Sequence, residues 1–175
     1  MRAGVFGGTF NPIHKGHLMA AERVLDRFSL DRIYIIPSRV PPHKFPAYLA
    51  PAEDRMRMIQ LSLPSDTRYH LSDVELQRSG PSYTIDTVDY FSTHIIPGTA
   101  LFMVTGMDAF LEIHTWKSHR RLLELIQPVV VTRSIGGWTP TDGDTDRLDD
   151  YIRSRLSADY QYVDELRCWR HTGGN

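Results

Sequence analysis

Eleven residues near the N-terminus combine glycines, histidines and a lysine at spacings that suit phosphate chemistry. The string GGTFNPIHKGH occupies residues 7–17 and follows the apolar run at 3–6. Two glycines after a strand let backbone N–H groups approach a phosphate, and a helix that starts next adds its positive N-terminal end. His14 and His17 lie three residues apart, so at a helix start both rings face the same side. Such a pair can donate hydrogen bonds to the extra negative charge of a phosphoryl-transfer transition state.

Simpler interpretations of the string stay open. Either histidine, taken alone, is more simply interpreted as a solvent-exposed residue that follows a glycine turn. Gly16, between His14 and His17, leaves space for a ligand. A zinc site would need a third Cys, His or acid at ligand spacing, and none lies near the pair. We therefore predict no metal ligands here.

Alternating strand and helix patterns must position this string. The apolar runs predict strands at 3–6, 32–36, 100–105 and 128–132, with strand and turn at 69–76. Helical spacing predicts helices at 18–28, 52–61, 82–91, 107–113, 118–126 and, approximately, 147–156. Segment 37–51, with five prolines, and segment 134–150 are predicted loops.

This order of elements is typical of an α/β fold, a Rossmann-like doubly wound sheet of mainly parallel strands with helices on both faces. Ligands bind such sheets at the carboxyl ends of strands, near the point where the strand order reverses. The pair Gly7-Gly8, then Gly106, and then Thr132-Arg133 each follow a predicted strand. The sequence therefore predicts one site at this edge of the sheet.

Composition limits the classes of partner. A length of 175 residues suggests one domain, and a net charge of −1 argues against a large nucleic-acid footprint. No apolar stretch is long enough to span a bilayer, so we expect no membrane partner. The lone Cys168 cannot form an internal disulfide, which fits a reducing compartment, and we predict a cytoplasmic protein. Oligomeric state, a homo-oligomer included, is not readable from the sequence.

Four segments together resemble one enzyme family. The tetrad at 14–17 looks like the H-x-G-H signature of the nucleotidyltransferase superfamily, and GGTFNPIH is similar to its bacterial nicotinate-nucleotide adenylyltransferase branch. PPHK at 41–44 resembles that family's basic loop, and GPSYTIDT at 80–87 matches its pyridine-site segment. GMDA at 106–109, followed by Trp116, resembles its G-x-D…W element.

The resemblance implies transfer of AMP from ATP to nicotinate mononucleotide, giving deamido-NAD and pyrophosphate, with Mg²⁺ accompanying ATP. It implies three catalytic residues: His14, His17 and Lys44. It implies an ATP site formed by Gly7, Gly8, Thr9, Phe10, Asn11, Gly16, Gly106 and Asp108. It implies an acceptor site formed by Ser82, Tyr83, Thr84, Trp116 and Lys117.

Taken without the family, several of these residues have a structural alternative. Lys44 can be a solvated loop lysine, and Trp116 can be a core residue. Ser82 and Thr84 can be helix caps, and Asp108 can cap the short helix that begins near position 107. Arg133 can meet a phosphate or form a surface salt bridge, so we assign it no role.

One family feature is missing. Nicotinate-nucleotide adenylyltransferases carry the pattern Ile-Ser-Ser-Thr-x-Ile-Arg near the C-terminus, and residues 1–175 contain no such pattern. We therefore expect a single nucleotidyltransferase domain, 1–175, that lacks this C-terminal segment. Two other functions stay open: transfer to a different phosphate acceptor such as phosphopantetheine, and nucleotide binding without turnover.

Overall fold

The computed structural model describes residues 1–41, 48–132 and 142–156, together with the backbone of 160–163 and 168–171. The strands within these ranges are β1 Arg2–Gly8, β2 Arg32–Pro37, β3 Tyr69–Leu71, β4 Ala100–Gly106, β5 Gln127–Val131, β6 Tyr160–Val163 and β7 Cys168–His171. The helices are α1 Lys15–Arg27, α2 Ala52–Ser62, α3 Val74–Gln77, α4 Thr84–Tyr90, α5 Met107–Phe110, α6 His119–Leu125 and α7 Asp142–Tyr151. π turns at Phe91–Ile95 and Ile152–Leu156 extend α4 and α7, and a 3₁₀ turn spans Ile113–Thr115.

A five-stranded sheet in the order β3-β2-β1-β4-β5 forms the centre of the fold. Strand β1 pairs in parallel with both β2 and β4, and β2 pairs in parallel with β3. The chain moves outward from β1 to β3 and then crosses back to β4, so the order reverses beside β1. This confirms the predicted Rossmann-like α/β fold and puts the end of β1 at the switch point, where such sheets bind ligands.

Apolar residues of the strands and of α1 build the core around β1. Val5, Ile33 and Phe102 of three adjacent strands are at most 2% exposed. In helix α1 the buried side chains are Ala20, Ala21, Val24 and Leu25, spaced as an amphipathic helix requires. Strands buried in this way hold their carboxyl ends rigidly, and those ends carry the segments described below.

The chain divides into two compact units, residues 1–105 with 117–131 and residues 106–116 with 132–175. The first contains the sheet from β1 to β5. In the second, the phenolic oxygen of Tyr151 lies 2.7 Å from Nδ1 of His114, and the edge of the Phe110 ring faces Tyr151. The single domain expected from chain length stays a prediction. None of the helices in the described ranges is long and apolar enough to cross a membrane.

Some predicted boundaries were wrong. The helix expected from about 147 begins at Asp142, because Asp and Thr, weak helix formers inside a helix, are favoured near an N-terminus. After β3 the chain forms a helical turn, α3, where strand and turn were expected. Strand β1 continues through both glycines, and Gly7 and Gly8 pair with Ile36 and Pro37. The turn therefore begins only at Thr9.

Candidate active site

Residues 7–17, which we call the histidine turn, leave the sheet at the carboxyl end of β1. The turn runs from β1 to the first residues of α1, whose N-cap is His14. His14 is exposed and His17 is half-buried. The structure thus places the end of β1, the start of α1 and the two imidazoles within one short segment. The convergence of this segment with Gly106 and Thr132-Arg133 stays a prediction.

The two imidazoles lie against each other. Their ring centroids are 3.8 Å apart and the ring planes differ by 26°, a stacked pair. The backbone N–H of His14 donates a hydrogen bond to Nδ1 of His17 at 3.3 Å. Because that nitrogen accepts, we assign the proton of a neutral His17 ring to Nε2. The pair thus offers an N–H donor on a ring whose orientation its neighbours hold.

Phe10 supports the pair from the apolar side. It adopts a positive φ of 45°, and its edge faces the His17 ring at a centroid distance of 5.1 Å. A Cβ built on Gly8 would lie 3.0 Å from the Phe10 ring, so a side chain there would press against Phe10. Phe10 is buried, 3% exposed, and packs under His17.

Gly16 gives room to the His14 ring, a role that the sequence analysis did not predict. A Cβ at this position would lie 3.1 Å from two atoms of the His14 ring. The space that the missing side chain leaves is therefore next to the His14 imidazole, and Gly16 allows the stacked geometry. Direct contact of Gly16 with a nucleotide stays a prediction.

Asn11 and Arg55 anchor the turn to the segment before α2. Asn11 donates from Nδ2 to the carbonyl of Tyr48 at 2.8 Å and accepts at Oδ1 from the N–H of Ala50 at 3.0 Å. Arg55 donates from Nη1 to the carbonyl of Thr9 at 2.7 Å and from Nε to the carbonyl of Ala50 at 3.0 Å. Both groups of the Asn11 amide are used within the protein and position the turn, and its contact with ATP stays a prediction.

Sequence reasoning missed Arg55. Its side chain is 0% exposed, its Nη2 has no hydrogen-bond partner in the described part of the chain, and burial lowers its pKa. A signal was present: Arg55 stands four residues before the buried Ile59, on the inward face of an amphipathic helix.

Residues 80–86, which we call the SYT segment, lie beside the histidine turn. Two consecutive amides join them: Ser38 N–H donates to the carbonyl of Gly8 at 2.9 Å, and Arg39 N–H donates to Oγ of Ser82 at 2.9 Å. Ser82 N–H in turn donates to the carbonyl of Val40 at 2.9 Å. The structure therefore brings the predicted nucleotide and acceptor residues of the first unit together.

Ser82 does not cap α4. The N-cap is Tyr83, without a side-chain capping bond, and the Ser82 hydroxyl is engaged by Arg39 instead. The alternative that Ser82 or Thr84 caps the helix was wrong, because a distant main-chain N–H competes successfully for the Ser82 oxygen. Thr84 is the first residue of α4, and Tyr83 and Thr84 are both half-buried.

Lys117 reaches the SYT segment, and its role in binding the acceptor stays a prediction. Its Nζ lies 2.9 Å and 3.0 Å from the two carboxylate oxygens of Asp86 and 4.8 Å from the centroid of the Tyr83 ring. Lys117 is 48% and Asp86 40% exposed, so solvent screens the pair. The ammonium is thus held over an aromatic face at the edge of the segment.

Three predicted residues belong to the second unit. Gly106 is the N-cap of α5, and Asp108, in the first turn of that helix, is exposed. Asp108 therefore does not cap α5, because the cap stands two residues earlier. Trp116 is half-buried and ends the 3₁₀ turn through an N–H bond to the carbonyl of Ile113. Lys44 and Arg133 lie outside the described residues. Across the described ranges, no group of three or more His, Cys, Asp or Glu side chains is placed to hold a metal ion.

Comparison with known proteins gives consistent likenesses. A family model described as cytidylyltransferase-like matches residues 5–163. The chain is 40% identical over 156 residues to a Desulfatibacillum aliphaticivorans protein named probable nicotinate-nucleotide adenylyltransferase, covering 89% of this chain and 69% of that protein. A Thermus thermophilus protein of the same name is 44% identical over 133 residues, which is 76% of this chain and 70% of the relative.

The fold has a counterpart among solved structures. The Plasmodium falciparum nicotinic acid mononucleotide adenylyltransferase complexed with NaAD matches with a TM-score of 0.67 over 83% of this chain and 70% of the other. The sequences are 18% identical, so this comparison supports the fold alone.

Proposed function

The chain belongs to the nicotinate-nucleotide adenylyltransferase family, within the cytidylyltransferase-like nucleotidyltransferases, and from that membership we propose how its residues perform adenylyl transfer. AMP moves from ATP to nicotinate mononucleotide, deamido-NAD forms, and pyrophosphate leaves. The observation that carries the assignment to this site is the stacked His14–His17 pair at the carboxyl end of β1.

The reaction needs no general base. The 5′-phosphate of the mononucleotide is an anion at neutral pH, since its second pKa is about 6. One of its oxygens attacks the α-phosphorus of ATP in line, and the bond to the pyrophosphate oxygen breaks. Catalysis then consists of holding two anions together and stabilising the charge that builds up during transfer.

The histidine pair supplies the charge stabilisation. With Nδ1 of His17 accepting from the His14 N–H at 3.3 Å, Nε2 carries the proton that can be donated to a phosphate oxygen. The exposed His14 ring lies on the same side of the turn. Gly7, Gly8 and Thr9 bring the backbone to the phosphates. For Lys44, Gly106 and Asp108 we propose contacts with ATP.

The SYT segment receives the acceptor. Because the Ser82 hydroxyl is already engaged, the backbone of Tyr83 and Thr84 is the recognition element for the pyridine carboxylate. Lys117, held over Tyr83, adds positive charge. Trp116 stacks on the pyridinium ring, a favourable contact between an aromatic face and a cation. A carboxylate suits these donors better than an amide, so we expect preference for nicotinate over nicotinamide mononucleotide.

Magnesium enters with ATP in this proposal. Mg²⁺ keeps much of its water and binds readily through substrate phosphates. That coordination fits described residues that include no cluster of carboxylate or imidazole ligands. When bound it would neutralise pyrophosphate charge. We propose the cytoplasm as the compartment, in keeping with the lone Cys168.

Pyrophosphate release tests the proposal. The chain is incubated with ATP, Mg²⁺ and, in separate reactions, nicotinate mononucleotide, nicotinamide mononucleotide or phosphopantetheine. We expect turnover with nicotinate mononucleotide, slower turnover with its amide, and formation of deamido-NAD. Turnover only with phosphopantetheine would identify that molecule as the acceptor instead. Nucleotide binding without pyrophosphate release would indicate a binding function instead of catalysis.

A further inference from the structure

We propose that Glu75 is a positioning residue that holds the SYT segment in the shape that binds the acceptor; this rests on the function proposed above. Glu75 stands on α3, outside every segment singled out in the sequence. Its side chain is buried, with the residue 6% exposed. Burying a carboxylate costs free energy unless it is hydrogen-bonded, so the residues that bond Glu75 indicate its role.

Those partners flank the residues proposed to recognise the acceptor. Thr87, in α4, donates from Oγ1 to Oε1 of Glu75 at 2.7 Å. The Ser82 hydroxyl also lies near enough to favour the charged form of this carboxylate, while its oxygen accepts from Arg39 N–H. Glu75 thus binds the chain directly after the segment that carries Tyr83 and Thr84.

Two arginines complete the arrangement. Arg78 donates from Nη2 to Oγ1 of Thr87 and lies 3.9 Å from the Glu75 carboxylate. Arg39 donates from Nη1 to the carbonyls of Leu76 and Arg78 at 3.2 Å and 3.0 Å. The carboxylate is therefore the centre of a network joining the end of β2, α3 and the start of α4.

This network leaves the backbone between Ser82 and Thr87 with little freedom to change shape. Glu75 holds the Thr87 hydroxyl and the Arg39 N–H holds Ser82, so both ends of the main chain that carries Tyr83 and Thr84 are fixed. Loss of the Glu75 carboxylate leaves the buried Thr87 hydroxyl and Arg78 without that partner. We expect the consequence on the acceptor side, because the bonds of this network do not include a residue of the histidine turn. Among the described contacts, the network is linked to that turn through Ser38, which precedes Arg39 and bonds the Gly8 carbonyl.

Steady-state kinetics of the full chain tests this role. Glu75→Leu is expected to raise the KM for nicotinate mononucleotide about tenfold or more while the KM for ATP changes less than about twofold, as for misplacement of a binding element. Glu75→Gln keeps an oxygen acceptor and is expected to restore most of the affinity. Thr87→Val removes one donor without a large volume change and is expected to give an intermediate KM. Glu124→Gln, an exposed carboxylate on α6, is the matched control.

Each outcome decides a specific claim. Wild-type turnover together with unchanged acceptor KM in folded Glu75→Leu overturns the role of Glu75 and leaves the proposed function intact. Equal increases in both KM values would make Glu75 a general structural residue and also overturn it. If Glu75→Leu fails to fold, Thr87→Val decides by the same ratio of KM values. Absence of wild-type turnover overturns the proposed function and, with it, the role of Glu75.

Discussion

The histidine turn and the SYT segment are each held by a buried charged residue, and the two are held in opposite ways. Arg55 binds the main-chain carbonyl of Thr9 in the histidine turn and that of Ala50 before α2. Glu75 binds the side-chain hydroxyl of Thr87, the residue directly after the SYT segment. Anchoring the backbone leaves side chains to meet a ligand, and anchoring side chains leaves the backbone to do so.

This difference matches the two proposed tasks. A triphosphate in transfer needs donors on side chains that can lie close to a changing charge, and the imidazoles of His14 and His17 provide them. A pyridine carboxylate is a fixed planar acceptor, for which main-chain N–H groups in a rigid segment are well suited. If this is correct, mutations at the two anchors will affect different substrates.

The largest expected effect is at the histidine turn. We expect His17→Ala to lower kcat by about 100-fold or more, as loss of a transition-state donor does. Pyrophosphate release at saturating ATP and nicotinate mononucleotide measures it. His94→Ala, which removes an exposed imidazole stacked on Tyr90, should leave kcat unchanged. Near-normal turnover of His17→Ala would show that the imidazoles take no part in the mechanism. The task proposed for the histidine turn would then be wrong.

A second effect concerns the anchor under the turn. Arg55→Met removes two charged hydrogen bonds to carbonyls, so we expect a loss of about 2 kcal/mol in unfolding free energy. The KM for ATP should rise about tenfold while the KM for nicotinate mononucleotide stays within about twofold, the reverse of the Glu75 result. Denaturant unfolding and kinetics measure the two quantities.

Arg57→Met is the matched control for this change, since Arg57 lies on the same helix but is exposed and binds only Gln60 among the contacts described. A larger increase in the KM for the mononucleotide than for ATP would contradict the assignment of Arg55 to the histidine turn.

The third prediction uses pH. Burial raises the pKa of Glu75 above its ordinary value of 4.5, although the Thr87 and Ser82 hydroxyls and Arg78 oppose the shift. Because the folded-state pKa is higher than the unfolded one, protonation favours the folded chain. This contribution is complete below 4.5 and is lost as the pH rises through the raised pKa.

The unfolding free energy of the wild type relative to Glu75→Gln should therefore decrease as pH increases from about 4 to 7, and Glu124→Gln should show no such slope. Chemical denaturation at several pH values measures it. A difference that is constant, or that increases with pH, would show that hydrogen bonding outweighs burial at this carboxylate.

The smallest effect is at the exposed edge of the SYT segment. A double-mutant cycle with Lys117→Met and Asp86→Asn should give a coupling of about 0.5 kcal/mol in unfolding free energy, decreasing in high salt. The Arg121–Asp89 pair, which also joins α4 and α6, offers a control cycle of similar coupling. We expect Lys117→Met to raise the acceptor KM about two- to fivefold and Arg121→Met to leave it unchanged. If Lys117→Met and Arg121→Met changed the acceptor KM equally, Lys117 would have a purely structural role.

Local sequence determined much of this protein. Apolar runs of period and length typical of buried strands located β1, β2, β4 and β5 to within about two residues, because strand formation there depends on side chains adjacent in sequence. The three-residue spacing of His14 and His17 predicted that their rings can face the same side of a helix start, since residues three apart are neighbours on a helix. The alternation of elements predicted a mainly parallel sheet, and the structure then gave the order of its strands.

Only the tertiary structure decided which polar groups would be used within the protein. Thr9 and Arg55 are 46 residues apart, and Arg39 and Ser82 are 43 residues apart. No local sequence pattern therefore predicts either hydrogen bond. Packing against the sheet turned one arginine and one glutamate, residues that are normally exposed, into buried anchors. Burial makes every unpaired donor and acceptor costly, and chain segments brought together by the fold, rather than neighbours in sequence, had to satisfy them.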